Sequence, residues 1–198
     1  MATITDDEFV RLFQERAGLE TVDGWAGAET LAALDKVYPP IPELVRIAMP
    51  AEYWPMLSRI ESNDRPYVKA STSSGSGLFQ FLKATWIGEG GAWGDDASLA
   101  FGGLKPSPSE QLDRVKALTQ RNAVYLAKAG IAINPASLYA AHFLGMVTAA
   151  AVILADVKAR ADWIAGPAAT KANVSILQGK TVADFLTWLH KKTGAWAR

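Results

Sequence analysis

Cysteine is absent from this 198-residue chain, and histidine occurs only at His142 and His190. Without thiols, neither a disulfide framework nor a thiolate metal site can form. Two imidazoles are also too few for a multi-histidine zinc site, since structural and catalytic zinc sites usually need three or four ligands. We therefore expect a protein that works without a metal or another cofactor.

The chain also lacks an excess of charge and a long apolar run. Its 20 Lys and Arg residues balance its 20 Asp and Glu residues, so a basic nucleic-acid-binding surface is not indicated. The first ten residues (MATITDDEFV) are acidic where a signal peptide would be basic. The most apolar stretch, residues 138–157, is interrupted by His142 and Asp156, which is typical of a core helix. We expect neither nucleic-acid binding nor membrane insertion.

Alternation of apolar and polar residues over any length is missing too, so few strands are expected and the predicted fold class is all-α. Helical spacing of apolar residues is present throughout. It predicts helices over residues 6–17, 28–37, 41–49, 51–62, 78–86, 110–129, 135–159 and 181–192, with loops over residues 63–77 and 88–109.

The predicted helices fall into two parts. Residues 1–38 form a small helix-turn-helix appendage, because a turn (VDGWAG) built from residues that tolerate positive φ separates its two helices. The Tyr38-Pro39-Pro40 sequence then favours a short stiff linker. Residues 41–198 form the larger, second domain.

Glu61 is the first candidate for chemistry. It follows Leu57 by four residues and Trp54 by seven, so its carboxyl group shares the apolar face of its predicted helix. A carboxyl partly removed from water is suited to general acid catalysis. The alternative is structural: Glu61 caps the following loop or pairs with Arg59 or Arg65.

Three motifs around Glu61 carry a resemblance to a known family. They are Ile60-Glu61-Ser62, the segment 73–81 (SSGSGLFQF) and Thr85-Trp86. In this order and spacing they resemble the soluble lytic transglycosylases of the lysozyme superfamily, and most closely their bacteriophage and prophage branch. The resemblance implies a lysozyme-like, transglycosylase-type helical domain in which Glu61 is the single catalytic acid and base.

A further motif of that family, Ala-Tyr-Asn-x-Gly, corresponds to residues 141–145 (AHFLG), where His142 and Phe143 replace the usual Tyr and Asn. The tail, from Asn173 to Trp188, resembles the closing segment of phage virion transglycosylases. The substrate-binding residues implied by the resemblance are Ser73, Ser74, Gln80, Phe81, Tyr139 and His142.

Residues 22–30 (VDGWAGAET) resemble the second half of a peptidoglycan-binding repeat. The first helix of that repeat and its leading glycine-rich turn are missing. The appendage is therefore expected to be a partial repeat, which either binds cell wall or only packs on the catalytic domain.

The function that these resemblances imply is cleavage of the β-1,4 bond between N-acetylmuramic acid and N-acetylglucosamine, with formation of 1,6-anhydromuramic ends. The expected partner is the glycan strand of peptidoglycan. The resemblance also suggests other phage lysis or virion proteins as partners, and we expect a monomer. Such an enzyme would be made in the bacterial cytoplasm without a signal peptide and would act on the cell wall or be carried in a virion.

Two alternatives stay open at this point. A muramidase that uses water needs a second carboxylate, for which Asp64, Glu89, Asp95 and Asp96 are the candidates. A protein that binds cell wall or serves in a virion without catalysis is also compatible with the same fold.

Overall fold

The computed structural model describes residues 4–37 and 47–198. It is 58% helix and 3% strand, and no sheet forms among the described residues, so the predicted all-α class is confirmed. The chain divides into two compact units, Met1–Arg46 and Ile47–Arg198. None of the helices in the described ranges is long and apolar enough to cross a membrane.

The first unit contains α1 (Asp6–Arg16) and α2 (Ala28–Val37). Thr5 caps α1 in a reciprocal capping box with Glu8, which satisfies amide groups that a helix start leaves free. The buried amide of Gln14 joins α1 to the turn and to α2. Its Nε2, with two N–H donors, lies within hydrogen-bond distance of three acceptors: Asp23 Oδ1 (2.9 Å), the Trp25 carbonyl (3.0 Å) and Thr30 Oγ1 (2.9 Å).

The second unit holds the remaining helices. They are α3 (Tyr53–Ser62), α4 (Lys83–Gly88), α5 (Pro108–Lys128), α6 (Pro135–Leu144), α7 (Met146–Leu154), α8 (Ala161–Ala172), α9 (Val174–Leu177) and α10 (Val182–Thr193), with a short 3₁₀ segment at Ala100–Gly103. Helix α6 lies centrally, packed against α5, α7 and α10. The core contains large side chains without solvent exposure, including Tyr53, Trp86 and Phe101.

Two predicted helices differ from the structure. Residues 78–82 are not helical, and α4 begins only at Lys83, because Ser76 and Phe81 exchange two backbone hydrogen bonds of 3.0 Å. The predicted helix over 135–159 is two helices, since the backbone leaves the helical region at Gly145 (φ 79°, ψ 150°). The predicted helix over 41–49 lies mostly outside the described residues.

Helices α8 and α9 were not predicted from the sequence. Helix α8 is kinked at Gly166, whose φ of 83° and ψ of 167° are open to glycine and unfavourable for other residues. Pro167 follows and begins the second part of the helix, as proline does at a first helical position. The Gly166-Pro167 pair interrupts the helical pattern, and the sequence pattern therefore predicts no helix over these residues.

Candidate active site

Glu61 lies in the last turn of α3 and is partly exposed. Tyr53 and Leu57, eight and four residues earlier on the same face, are fully buried, so the helix anchors Glu61 at the edge of the core. The helix ends at Asn63, which adopts the left-handed conformation (φ 54°, ψ 45°) and donates its amide back to Arg59 and Ser58. Asn63 therefore serves as the cap, and Glu61 does not.

The two arginines near Glu61 in sequence have other partners. Arg59 lies 3.8 Å from Asp64, and Arg65 donates its Nε to the Ser62 carbonyl at 3.0 Å. Among residues 4–37 and 47–198, no ion pair joins either arginine to Glu61. The structural alternative of an Arg–Glu61 pair is not observed.

Glu61 lines a groove of about 840 Å³ in the second unit. Four elements form the walls: α3, the loop from Thr72 to Leu82, the end of α6, and the second part of α8. The lining residues are Glu61, Thr72, Ser73, Gly75, Gln80, Leu82, His142, Phe143, Ala168, Lys171, Ala172 and Asn173. Glu61 is the one carboxylate among these described lining residues, and Lys171 is the one fixed cation.

Tyr139 lies beside Glu61 and is almost fully buried, at 3% exposure. Burial raises the pKa of its hydroxyl, and the nearby negative charge of Glu61 raises it further. The hydroxyl of Tyr139 therefore stays protonated and presents an O–H donor close to the Glu61 carboxylate. The Tyr139 ring is fixed by Trp188 and Phe143, at centroid distances of 5.7 and 6.3 Å.

Tyr53 is a second buried tyrosine, and the charge of Glu61 affects the pKa of its hydroxyl. Burial raises the pKa of its hydroxyl, and the charge of Glu61 raises it as well. Thr119 faces this hydroxyl closely enough to oppose the rise, but without the geometry of a hydrogen bond. Tyr53 therefore stays neutral, with an oxygen that has no hydrogen-bond partner among the described residues.

His142 lines the groove and keeps some exposure as a residue, but its Nδ1 is sealed from solvent. Its Nε2 lies 3.0 Å from the Phe79 carbonyl oxygen. A carbonyl oxygen only accepts, so we assign the hydrogen to Nε2 and a lone pair to Nδ1. Burial lowers the pKa of His142, while Glu61 and the bond to Phe79 oppose that shift, so the ring is neutral at pH 7.

The loop before α4 brings Ser73 and Gln80 into the groove. Ser73 Oγ accepts from the Gly75 amide (3.1 Å), and Gln80 Nε2 donates to the Gly77 carbonyl (3.0 Å). A Cβ atom at Gly75 would lie 2.9 Å from Gln80 Oε1, so glycine at this position makes room for the Gln80 amide. Four predicted site residues thus line the groove, Glu61, Ser73, Gln80 and His142, and a fifth, Tyr139, lies beside Glu61.

Ser74 and Phe81 lie elsewhere. Ser74 Oγ accepts from the Lys83 amide at 3.0 Å, and Ser74 lines a neighbouring groove of about 350 Å³. Phe81 is 2% exposed and packs edge-on against Trp86, with centroids 5.2 Å apart. Phe81 is therefore part of the core and does not line the groove of Glu61.

The candidates for a second carboxylate do not line the groove of Glu61. Asp64 accepts from Ser58 Oγ at 2.7 Å, and Glu89 pairs with Arg121. Asp96 accepts from Ser98 Oγ at 2.6 Å. Asp95 lines the neighbouring 350 Å³ groove, which shares Ser73 with the groove of Glu61. Asp95 is therefore the candidate second carboxylate that lies next to the groove of Glu61.

The α8 wall of the groove is held by Asp162, which is 8% exposed. Asp162 accepts two hydrogen bonds from Arg160 and one from the Gly179 amide, and these lower its pKa to about 2. Sequence reasoning missed Lys171, Ala168 and Ala172 because it predicted no helix there. Their spacing of three and four residues was the signal that places them on one helical face.

No cluster of three or more His, Cys, Asp or Glu side chains that could hold a metal ion occurs in the described part of the chain. No protein-family model matches the chain, and a search of curated proteins found no relative. The resemblance to lytic transglycosylases therefore depends on the motifs in the chain itself.

Proposed function

We propose that this protein cleaves the β-1,4 bond between N-acetylmuramic acid and N-acetylglucosamine as a lytic transglycosylase with a lysozyme-like fold. The observation that carries the proposal is the position of Glu61, as the one carboxylate among the described residues that line an 840 Å³ groove. The motif spacing around Glu61 supports the same function.

In the proposed reaction, protonated Glu61 donates its proton to the glycosidic oxygen as the C1–O bond of the muramyl residue breaks. The resulting carboxylate then takes the proton of the C6 hydroxyl while the C6 oxygen bonds to C1 and closes the 1,6-anhydro ring. The proton lost in the first step is regained in the second. One group therefore serves as acid and then base, and no second carboxylate is needed.

The surrounding groups suit this role. The protonated hydroxyl of Tyr139 lies close to the Glu61 carboxylate, and neutral His142 adds no charge beside it. Gln80, Ser73 and Asn173 provide amide and hydroxyl groups along the groove, which suit the acetamido and hydroxyl groups of a glycan. The C6 hydroxyl is covalently attached to the reacting sugar. Its effective concentration at C1 is therefore large compared with that of a water molecule that no group positions.

A second candidate is a muramidase that uses water, and Asp95 is the observation that favours it. Asp95 lines the groove that meets the site at Ser73, so a bound strand that spans both grooves would contact it. Retaining and inverting glycosidases place their two carboxyl groups about 5–9.5 Å apart. The products distinguish the two reactions.

The first test is Glu61→Gln. Removing the acid and base should lower the release of soluble fragments from purified cell walls by at least about 100-fold, because general acid–base catalysis commonly contributes 10²–10⁴-fold. The amide is nearly isosteric with the carboxyl group, so the thermal unfolding midpoint should change little. Turbidity of a cell-wall suspension and soluble muropeptides give the two readouts.

Glu52→Gln is the matched control, since Glu52 is exposed, precedes α3, and makes no side-chain capping bond. It should clear cell walls as fast as the wild type. A Glu61→Gln protein that clears walls at the wild-type rate would overturn the assignment of Glu61. A wild-type protein that binds cell walls but releases nothing would support the non-catalytic alternative.

A further inference from the structure

The groove of Glu61 contains a charged residue that the proposed reaction does not use. Lys171 lies on the second part of α8, facing the groove together with Ala168 and Ala172. These three positions have the i, i+3, i+4 spacing of a single helical face. The two alanines leave space along this wall, and Lys171 is the long side chain that reaches from it.

The backbone beneath Lys171 is held in place by side-chain hydrogen bonds. Thr170 Oγ1 donates to the Asp162 carbonyl (3.1 Å), and Asn173 Nδ2 donates to the Ala169 carbonyl (3.1 Å). Asn173 ends α8 and itself lines the groove. The position of the lysine along the groove is thus set by the fold.

The ammonium group of Lys171 is available to bind an anion. Within residues 4–37 and 47–198 it forms no ion pair, whereas four other basic residues, Arg59, Arg114, Arg121 and Arg160, each pair with a carboxylate. Lys171 is exposed, and the other charge among the described lining residues is that of Glu61. The groove therefore offers one acid for the reaction and one cation without a partner.

We propose that Lys171 binds a carboxylate carried by the lactyl substituent of the muramyl residue, an inference that rests on the proposed function. This substituent stands on C3 of the same ring whose C1–O bond breaks, so it enters the groove whenever that bond reaches Glu61. A substrate carboxylate near Glu61 would meet a like charge whenever Glu61 is ionised. The ammonium of Lys171 offsets that repulsion and favours muramyl residues over neutral sugars in this position.

Two sources supply this carboxylate. In a strand without peptides, the lactyl group itself ends in a carboxylate. In a strand that carries stem peptides, the lactyl carbonyl is an amide, and the carboxylates belong to the peptide. A chain of N-acetylglucosamine alone has neither, and it serves as the neutral comparison.

The test measures affinity without turnover, in the 198-residue chain carrying Glu61→Gln, by isothermal calorimetry with three ligands. These are soluble strands with stem peptides, the same strands after amidase treatment, and chitohexaose. Adding Lys171→Ala should weaken binding of a carboxylate-bearing strand about two- to fivefold, the range expected for an exposed ion pair. Lys171→Glu should weaken it further, and Lys171→Arg should restore it.

Binding of chitohexaose should be the same in all these proteins, and the loss should shrink at high salt because an exposed ion pair is screened. Lys128→Ala is the matched control, because Lys128 is exposed at the end of α5 and lies outside the groove. A loss seen with stripped strands assigns the lactyl carboxylate, and a loss confined to peptide-bearing strands assigns the stem.

Unchanged affinity of the Lys171→Ala protein for both strands would overturn the inference, as would an equal loss for chitohexaose. Cleavage by the wild-type protein is measured separately on the same two strands. If the wild type cleaves them and Lys171→Ala binds them normally, the proposed function stands and the role of Lys171 is wrong. If the wild type cleaves neither, the proposed function itself fails.

Discussion

The interiors of the two units differ in kind. In the second unit the buried side chains are mainly apolar, and Tyr53, Trp86, Phe101 and Phe185 have no solvent exposure. In the first unit the buried side chains among the described residues are polar, Gln14 and Thr30. Large apolar side chains of the first unit are instead exposed, with Phe9 at 63% and Trp25 at 75%.

This difference follows from size. The first unit, Met1–Arg46, is close to the size of about 40 residues below which a chain buries too little apolar surface to hold its fold by that means alone. Helices α1 and α2 are joined by the Gln14 side chain. Its Oε1 accepts from the Gly24 amide, and its two N–H groups are shared among acceptors on Asp23, Trp25 and Thr30. The second unit has a large apolar core, and in it the Tyr53 hydroxyl and His142 Nδ1 are buried with no hydrogen-bond partner in residues 4–37 and 47–198.

The sharpest test of this comparison is Gln14→Ala. Truncation leaves the part-buried Gly24 amide without its acceptor, and an unsatisfied buried polar group costs about 1–3 kcal/mol. Thr30 Oγ1 loses its Gln14 donor as well, but it still donates to the Trp25 carbonyl at 3.3 Å. The change should open residues 6–37 to hydrogen exchange while exchange in α5 and α6 stays the same. Glu15→Ala, at the exposed neighbouring position of α1, should leave both units unchanged.

If Gln14→Ala lowers the protection of both units equally, their stabilities are coupled and the comparison is wrong. If it changes neither, the hydrogen bonds of Gln14 do not hold the first unit together and the comparison is wrong as well. Mass spectrometry of deuterated peptides separates the two outcomes.

A smaller effect is expected from His142 in the second unit. Because burial lowers the folded-state pKa of His142 below the ordinary 6.5, the unfolded chain takes up a proton first as the pH falls. The free energy of unfolding should therefore decrease as pH falls below about 6.5, by at most about 1.4 kcal/mol per pH unit for one proton. Chemical denaturation between pH 5 and 7.5 measures this slope.

His142→Gln should flatten the slope, because it removes the imidazole whose pKa burial lowers. A wild-type slope that persists in His142→Gln would show that the buried ring is not the group that titrates. The first unit contains no histidine, so its hydrogen exchange should be insensitive to pH-dependent protonation in this window, after correction for intrinsic rates.

Much of the helical framework is predictable from the sequence because its signals are local. Asp6 and Asp7 mark the start of α1, and the turn at Asp23-Gly24 separates α1 from α2 as expected. Thr181 caps α10 through a capping box with Asp184. The position of Glu61 on the apolar face of α3 likewise follows from its spacing to Leu57.

One part that sequence reasoning missed, the segment before α4, depends on a contact between distant residues. The segment before α4 is kept out of a helix by Gln111 of α5, whose Oε1 accepts from the Leu78 amide at 2.8 Å. A Cβ at Gly77 would lie 2.3 Å from the same Oε1, so the loop can approach α5 only with glycine there. Phe81 was predicted to bind substrate, yet these contacts place it in the core.

The most direct test of the central claim, that Glu61 works alone, is the chemistry of the cleaved ends. Purified peptidoglycan digested by the wild-type protein is analysed by liquid chromatography and mass spectrometry, with Glu61→Gln as the blank. We predict that 1,6-anhydromuramic ends, one water lighter than reducing ends, dominate the products. Mainly reducing muramic ends would contradict the account, and Asp95, which lines the groove next to Glu61, would become the first residue to substitute.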